Sequence, residues 1–146
     1  ESSETILTEL RSLRKIIGAA RRRAASDRSI VRGSVEAFME QLRADDRLLH
    51  VLLREGSAGS DAFKQAVERE LRFFEDELRV DLVRINTANG ITLHEPALVA
   101  RAITRLVFAM GATAMDSPPE KDPQLIRELT LMVRMIIVGS RTIEDS

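Results

Sequence analysis

Between Leu98 and Ser140 the chain carries two long segments, LVARAITRLVFAMGATAM and PQLIRELTLMVRMIIVGS, that are apolar nearly all the way round. A surface helix of a small domain needs one apolar stripe, and a helix apolar on most sides must be covered on most sides. In the second segment Leu125, Leu129, Met132, Ile136 and Gly139 make one stripe. Leu131, Met135 and Val138 make another, and Val133 and Ile137 widen both. A domain of this size covers one stripe by itself, so the other is expected to meet a second copy of the chain. The two segments of each copy would then form a four-helix bundle about a two-fold axis. Ala102, Ala109, Gly111 and Ala112 permit close helix approach there, and Met132, Met135 and Ile136 fill the seam.

The bulk properties exclude several classes. A chain of 146 residues is expected to be one domain with a real core. Its net charge of -1 gives no bulk attraction to nucleic acid or an anionic membrane. With no cysteine there is no disulfide frame, thiolate nucleophile or thiolate metal site, which fits a cytoplasmic setting. Neither apolar segment is expected to cross a bilayer, because Arg101 and Arg105 interrupt the first and Arg127, Glu128 and Arg134 the second. Trp and Tyr are absent, and with them the usual stacking platforms for single-stranded nucleic acid.

Every other periodic segment reads as helix, giving an all-α bundle of about six helices. Ile6, Leu10, Leu13, Ile17, Ala20 and Ala24 step by three and four, which predicts a first helix from about Ser3 to Ala25. Val31, Val35, Phe38 and Leu42 carry a second helix that stops near Ala44. Leu48, Leu49, Leu52 and Leu53 suggest a short third one, ended by Gly56. Ser60 is a good N-cap for a long fourth helix, from Asp61 to about Ile85. Asn86 to Ile91 reads as a turn-rich linker. Thr92 and Glu95 have the spacing of a capping box for the fifth helix, with Pro96 in its first turn and an end near Met115. Asp122-Pro123 starts the sixth in the same cap-then-proline manner.

Residues that carry chemistry are scarce. His50 and His94 are the only histidines, and neither stands at a metal-ligand spacing with a carboxylate pair. Asp45-Asp46 and Glu75-Asp76-Glu77 read as helix-end and solvated-face charges. Neither a glycine-rich phosphate loop nor a nucleophile elbow is present. These features point away from an enzyme and imply no cofactor and no metal. Residues 1–35 hold eight Lys or Arg against four Asp or Glu, with a local cluster at Arg21, Arg22, Arg23, Arg28 and Arg32. The simplest account is a solvated helix end whose cations favour the negative end of the helix dipole. Proximity to a polyanion or an anionic headgroup is the other.

The run SVEAFM at 34–39, LLRE at 52–55, Ala62-Phe63, Ala66-Val67 and Arg69-Glu70 resembles the regulatory domain of TetR-type bacterial repressors. Within these it is similar to the FabR and DesT group, which controls unsaturated fatty acid synthesis. VFAMGA at 107–112, AMD at 114–116, Leu131 and RMI at 134–136 agree, and the likeness runs without gaps from Leu13 to about Leu82. The resemblance implies an effector-binding and dimerising body over residues 1–146. The helix-turn-helix head that such a body serves is absent from this sequence, so DNA would be a partner only through that head.

It also implies an apolar effector between the body helices, a long-chain fatty acyl-coenzyme A or fatty acid. Binding would tilt the connector helix and alter the spacing of two heads that read half-sites about 34–36 Å apart. For such a ligand Phe38, Leu42, Leu49, Leu53, Phe74 and Phe108 offer apolar wall, and His50, Arg54 and Thr104 the few polar groups. Arg54 suits a carboxylate or phosphate. Core packing is the plain alternative for each apolar residue, and a surface helix-end arginine for Arg54. A different class of function also fits: a helical dimerisation module with no small-molecule ligand. An internal pocket lined by Phe and Leu separates the two.

Overall fold

The computed structural model describes residues 3–24, 27–45 and 60–143. It is all-helical, with 89% of those residues in helices. Five α-helices appear: α1 (Ser3–Arg23), α2 (Asp27–Ala44), α3 (Asp61–Ala88), α4 (Pro96–Met115) and α5 (Asp122–Thr142). A single turn of 3-10 helix, Pro119–Lys121, precedes α5. The short helix expected around Leu48–Leu53 lies outside the described residues.

The apolar spacing decides which face of each helix turns inward. On α1, Ile6, Leu10, Leu13, Ile17 and Ala20 are all buried; on α2, Val35, Phe38, Met39 and Leu42. On α3 the buried set is Phe63, Val67, Phe74 and Leu82, with Leu71 and Leu78 half-buried between them. Ser60 caps α3 as its residue type suggests, its hydroxyl accepting from the Phe63 amide at 3.2 Å.

One helix boundary and two helix caps differ from the sequence reading. First, α3 continues to Ala88, through Asn86. Asn86 does not break the helix, because its side chain has partners in helical geometry. Its Nδ2 donates to the Leu82 carbonyl at 2.8 Å, and its Oδ1 accepts from Arg141 of α5 at 2.9 and 3.2 Å. Second, the capping box at Thr92–Glu95 does not form. Helix α4 begins at Pro96, after Glu95 in a left-handed conformation (φ 52°) that makes no side-chain cap. The competing partner is Ser140 of α5: its carbonyl accepts from the His94 amide at 3.0 Å, and its hydroxyl donates to the His94 carbonyl. Third, Asp122 is the first residue of α5 and caps nothing with its side chain, because its carboxylate is held by Arg43 of α2.

The helices pack edge to edge as a closed ring in the order α1, α2, α5, α4, α3 and back to α1. Successive members run antiparallel: α1 turns directly into α2, Arg43 near the end of α2 meets Asp122 at the start of α5, and His94 before α4 meets Ser140 near the end of α5. A ring with an odd number of members cannot alternate all the way round, so one pair must be parallel. It is α1 and α3, whose ion pairs advance together along both chains: Arg11 with Glu70, Arg14 with Glu77, Arg21 with Asp81. Inside the ring lie two contiguous apolar clusters, one centred on Leu10, Phe38, Phe74 and Phe108, the other on Val35, Ile103, Leu129 and Val133.

By length and composition alone α4 is apolar enough to cross a membrane, with a mean hydropathy of 1.4. Its arginines therefore do not exclude a span in the way the sequence suggested. Within the bundle, however, Arg105 is tied to Glu68 and Glu75 of α3, and a third of the apolar window is buried.

Candidate ligand cleft

An apolar cleft opens at the centre of the ring. Its floor is three phenylalanines, one each from α2, α3 and α4. Phe108 stands edge-on to Phe38 (centroids 5.5 Å apart, 74° between planes) and to Phe74 (5.4 Å, 83°). Such pairs favour this T-shaped geometry because the positive ring edge meets the negative ring face. All three rings are buried, as are Ile103 and Thr104 of α4 and Val133 and Ile137 of α5, which form one wall. Ile30, Val31 and Ser34 of α2 and Leu78 and Ile85 of α3 line the cleft as half-buried residues and mark its mouth. The cavity volume is about 90 Å3.

The polar features of the cleft are few. Ser34 turns its hydroxyl back to the Ile30 carbonyl at 2.6 Å, a common use of serine inside a helix. Thr104 sits on the buried face of α4. Also in the lining, Arg21 of α1 donates its Nε–H to Asp81 of α3 at 2.8 Å. Arg21 is only 7% exposed, so it is not the solvated helix-end cation the sequence suggested. Its neighbours Arg22 and Arg23 are exposed, and Arg32 makes an i,i+4 pair with Glu36 at 3.4 Å on the surface of α2. The guanidinium of Arg21 lies back along α1, its terminal nitrogen 3.8 Å from where a side chain on Gly18 would begin. Asp81 also accepts from the exposed Arg84 at 3.2 Å.

Phe38, Phe74, Thr104 and Phe108 thus come together in one cleft. Leu42 does not line it; it is buried in the first apolar cluster, against a separate groove with Leu13 and Gln41. Leu49, His50, Leu53 and Arg54 lie outside the described residues. Arg21 and Asp81 were missed because charged residues were read as surface. The available signal was register: Arg21 follows Leu10, Arg14 and Ile17 on the inward side of α1.

The acidic run on α3 is also engaged rather than solvated throughout. Arg105 of α4 donates to both oxygens of Glu68 at 3.0 Å and to Glu75 at 3.0 Å, and Glu77 pairs with Arg14. Hydrogen bonds from Arg105 hold the Glu68 carboxyl below the usual glutamate value, and the same bonds hold the Arg105 guanidinium above its own. Among the described residues no group of three His, Asp or Glu could hold a metal ion.

The residues expected in a dimer seam fall on two faces. Ala102, Ala109 and Met135 are exposed. Gly111 is buried, Ala112 packs half-buried against the first apolar cluster, and Met132 and Ile136 against the second. The large apolar side chains that α4 and α5 leave open are Leu98, Leu131, Met135 and Val138, between 48% and 60% exposed. No protein-family model matches the chain.

Proposed function

We propose that this chain is the effector-binding and dimerising body of a TetR-type transcriptional repressor. Its ligand would be a long apolar molecule, in the first instance the acyl group of a fatty acyl-coenzyme A. The observation that carries the reading is the cleft itself: an apolar cleft with three phenylalanines and one charged pair, Arg21–Asp81, in its lining. Sites for small apolar ligands have this composition, mostly hydrophobic wall with a few placed polar groups. Burying about ten methylenes there contributes roughly 8 kcal/mol before association costs, at about 0.8 kcal/mol per methylene. The ring supplies the coupling, since a chain inserted among the three phenylalanines must push on α2, α3 and α4 together. Operator contact belongs to a helix-turn-helix head of the parent repressor, because a net charge of -1 gives this body no electrostatic hold on DNA.

Self-association through α4 and α5 is the second part of the reading. It is supported by the apolar face formed by Leu98, Leu131, Met135 and Val138 on two adjacent helices.

The competing reading, a helical dimerisation module without a ligand, is favoured by one observation: the cavity is small, about 90 Å3. Native mass spectrometry of freshly purified protein, followed by titration with oleoyl- and palmitoyl-coenzyme A, separates the two. A co-purified acyl species, or a rise in melting temperature with either compound, is expected. No bound species and no shift, on protein shown to be lipid-free, leaves the module reading in place.

A further inference from the structure

We infer that Arg21 and Arg22 form a binding site for a small phosphate dianion, set over Gly18 on the flank of α1. The inference does not depend on the cleft being a ligand site. Arg22 Nη1 lies 3.2 Å, and Arg21 Nη2 3.8 Å, from the point where a side chain on Gly18 would begin. Both guanidiniums therefore lie over the same glycine. They are within the span of one phosphate whose oxygens take charge-assisted hydrogen bonds of about 2.8 Å. Two cations side by side repel, and the neighbouring carboxylates do not offset them. Asp81 accepts the Arg21 Nε–H at 2.8 Å but is shared with Arg84, from which it accepts at 3.2 Å. The next carboxylate back along α3, Glu77, pairs with Arg14. Arg22 has no carboxylate partner among the described residues. One anion thus stands against three guanidiniums, and a dianion restores neutrality where a single carboxylate does not. The negative end of the α1 dipole, about half a charge, is outweighed by the two guanidiniums. Arg21 is held in place before any ion arrives, being 7% exposed and fixed through its Nε–H. Its terminal N–H groups have no partner among the described residues. Gly18 is the second observation. Glycine inside a helix is destabilising relative to alanine. Helix packing does not require it here, because the atoms nearest an added Cβ belong to Arg21 and Arg22, not to α2 or α3. What the missing side chain leaves room for is the Arg22 guanidinium.

The test is calorimetric titration of the whole chain with inorganic phosphate and with acetate, at about pH 8, where phosphate is a dianion, and at constant ionic strength. Saturable binding of one phosphate is expected, with acetate at least about tenfold weaker, the loss of one charge-assisted hydrogen bond. Arg22→Gln, a change at an exposed residue, is expected to weaken phosphate by the same factor. Arg21 is left intact, because removing it would strand Asp81. Gly18→Ala separates binding from folding: it is expected to raise the melting temperature, since alanine is the better helix former, and to weaken phosphate several-fold by displacing the Arg22 guanidinium. No saturable heat with phosphate overturns the inference. So does equal affinity for acetate, or wild-type phosphate affinity in Arg22→Gln or Gly18→Ala. Octyl phosphate identifies the source of the phosphate, because Arg21 also lines the cleft. Tighter binding than inorganic phosphate, with displacement of the apolar dye Nile red, upholds the site as the place for a ligand's head. Equal affinity without displacement upholds it as a site for the free ion.

Discussion

Single side chains do much of the joining in this molecule, and Arg43 shows how. Its Nε and one terminal nitrogen take both oxygens of Asp122, each at 2.8 Å, and the same terminal nitrogen reaches the carbonyls of Ala114 and Ser117 at 2.9 and 3.1 Å. One half-buried guanidinium therefore closes the end of α4, the start of α5 and the end of α2. Arg43→Met is expected to lower unfolding stability by about 2–4 kcal/mol, because a carboxylate and two carbonyls lose their donor together. Arg43→Lys should recover only part of it, since an ammonium lacks the planar fork; urea denaturation measures both. At Glu68 the signal is pH. The folded carboxyl titrates below its ordinary value because Arg105 hydrogen-bonds its charged form. Its contribution to stability is therefore present above the unfolded glutamate pKa and lost as pH falls through the lowered folded one. Wild type should be more stable than Glu68→Gln at neutral pH, and the gap should close on acidification through that window. A gap that is constant with pH contradicts the assignment.

At the scale of elements, the ring explains why the three phenylalanines matter more than their area. Phe108 is the spoke that touches both Phe38 and Phe74, and so ties α4 across the cleft to α2 and α3. Phe108→Ala is expected to cost about 3–5 kcal/mol, lost transfer energy plus the cavity left behind. Most helices, their inward faces and the Ser60 cap were legible in the sequence, because spacing by three and four and a serine before an apolar run are local signals. The failures share a cause in partners remote along the chain. Asn86 looks like a helix breaker until Arg141 and the Leu82 carbonyl occupy its side chain. Thr92 and Glu95 look like a capping box until Ser140 takes the backbone of His94. Arg21 looks solvated until Asp81, sixty residues away, buries it. Of the nine expected cleft residues Phe38, Phe74, Thr104 and Phe108 line it, Leu42 does not, and the other four lie outside the described residues, while the Arg21–Asp81 pair was not foreseen. The parallel pairing of α1 and α3 follows from parity once the ring is seen, and the ring itself is not written in any periodicity.

For the whole molecule the open question is what meets the outer face of α4 and α5. Ile136 is a poor probe of it, because it packs half-buried against the second apolar cluster and a charge there would damage the fold as well. Met135 and Leu131 are better, at 60% and 51% exposed. Met135→Glu and Leu131→Glu are expected to convert a dimer to monomer in sedimentation at micromolar concentration. The melting of the monomer itself should move by no more than about 0.5 kcal/mol, as for other surface changes. A wild type that is monomeric at that concentration refutes the assembly. The odd ring has one more consequence, and it concerns entry. Four of its five joints are antiparallel, and the fifth, between α1 and α3, is bridged by more arginine–carboxylate pairs than the α3–α4 joint (Arg105 with Glu68 and Glu75) or the α2–α5 joint (Arg43 with Asp122). Solvent ions weaken such pairs, with a screening length of about 3 Å in molar salt, while the apolar joints tighten or hold. Ionic strength is therefore expected to bear most on the α1–α3 joint. In molar sodium chloride the amides of α1 should exchange hydrogen several-fold faster while those of α5 do not, and apolar dye should enter and leave faster without a matching change in its affinity.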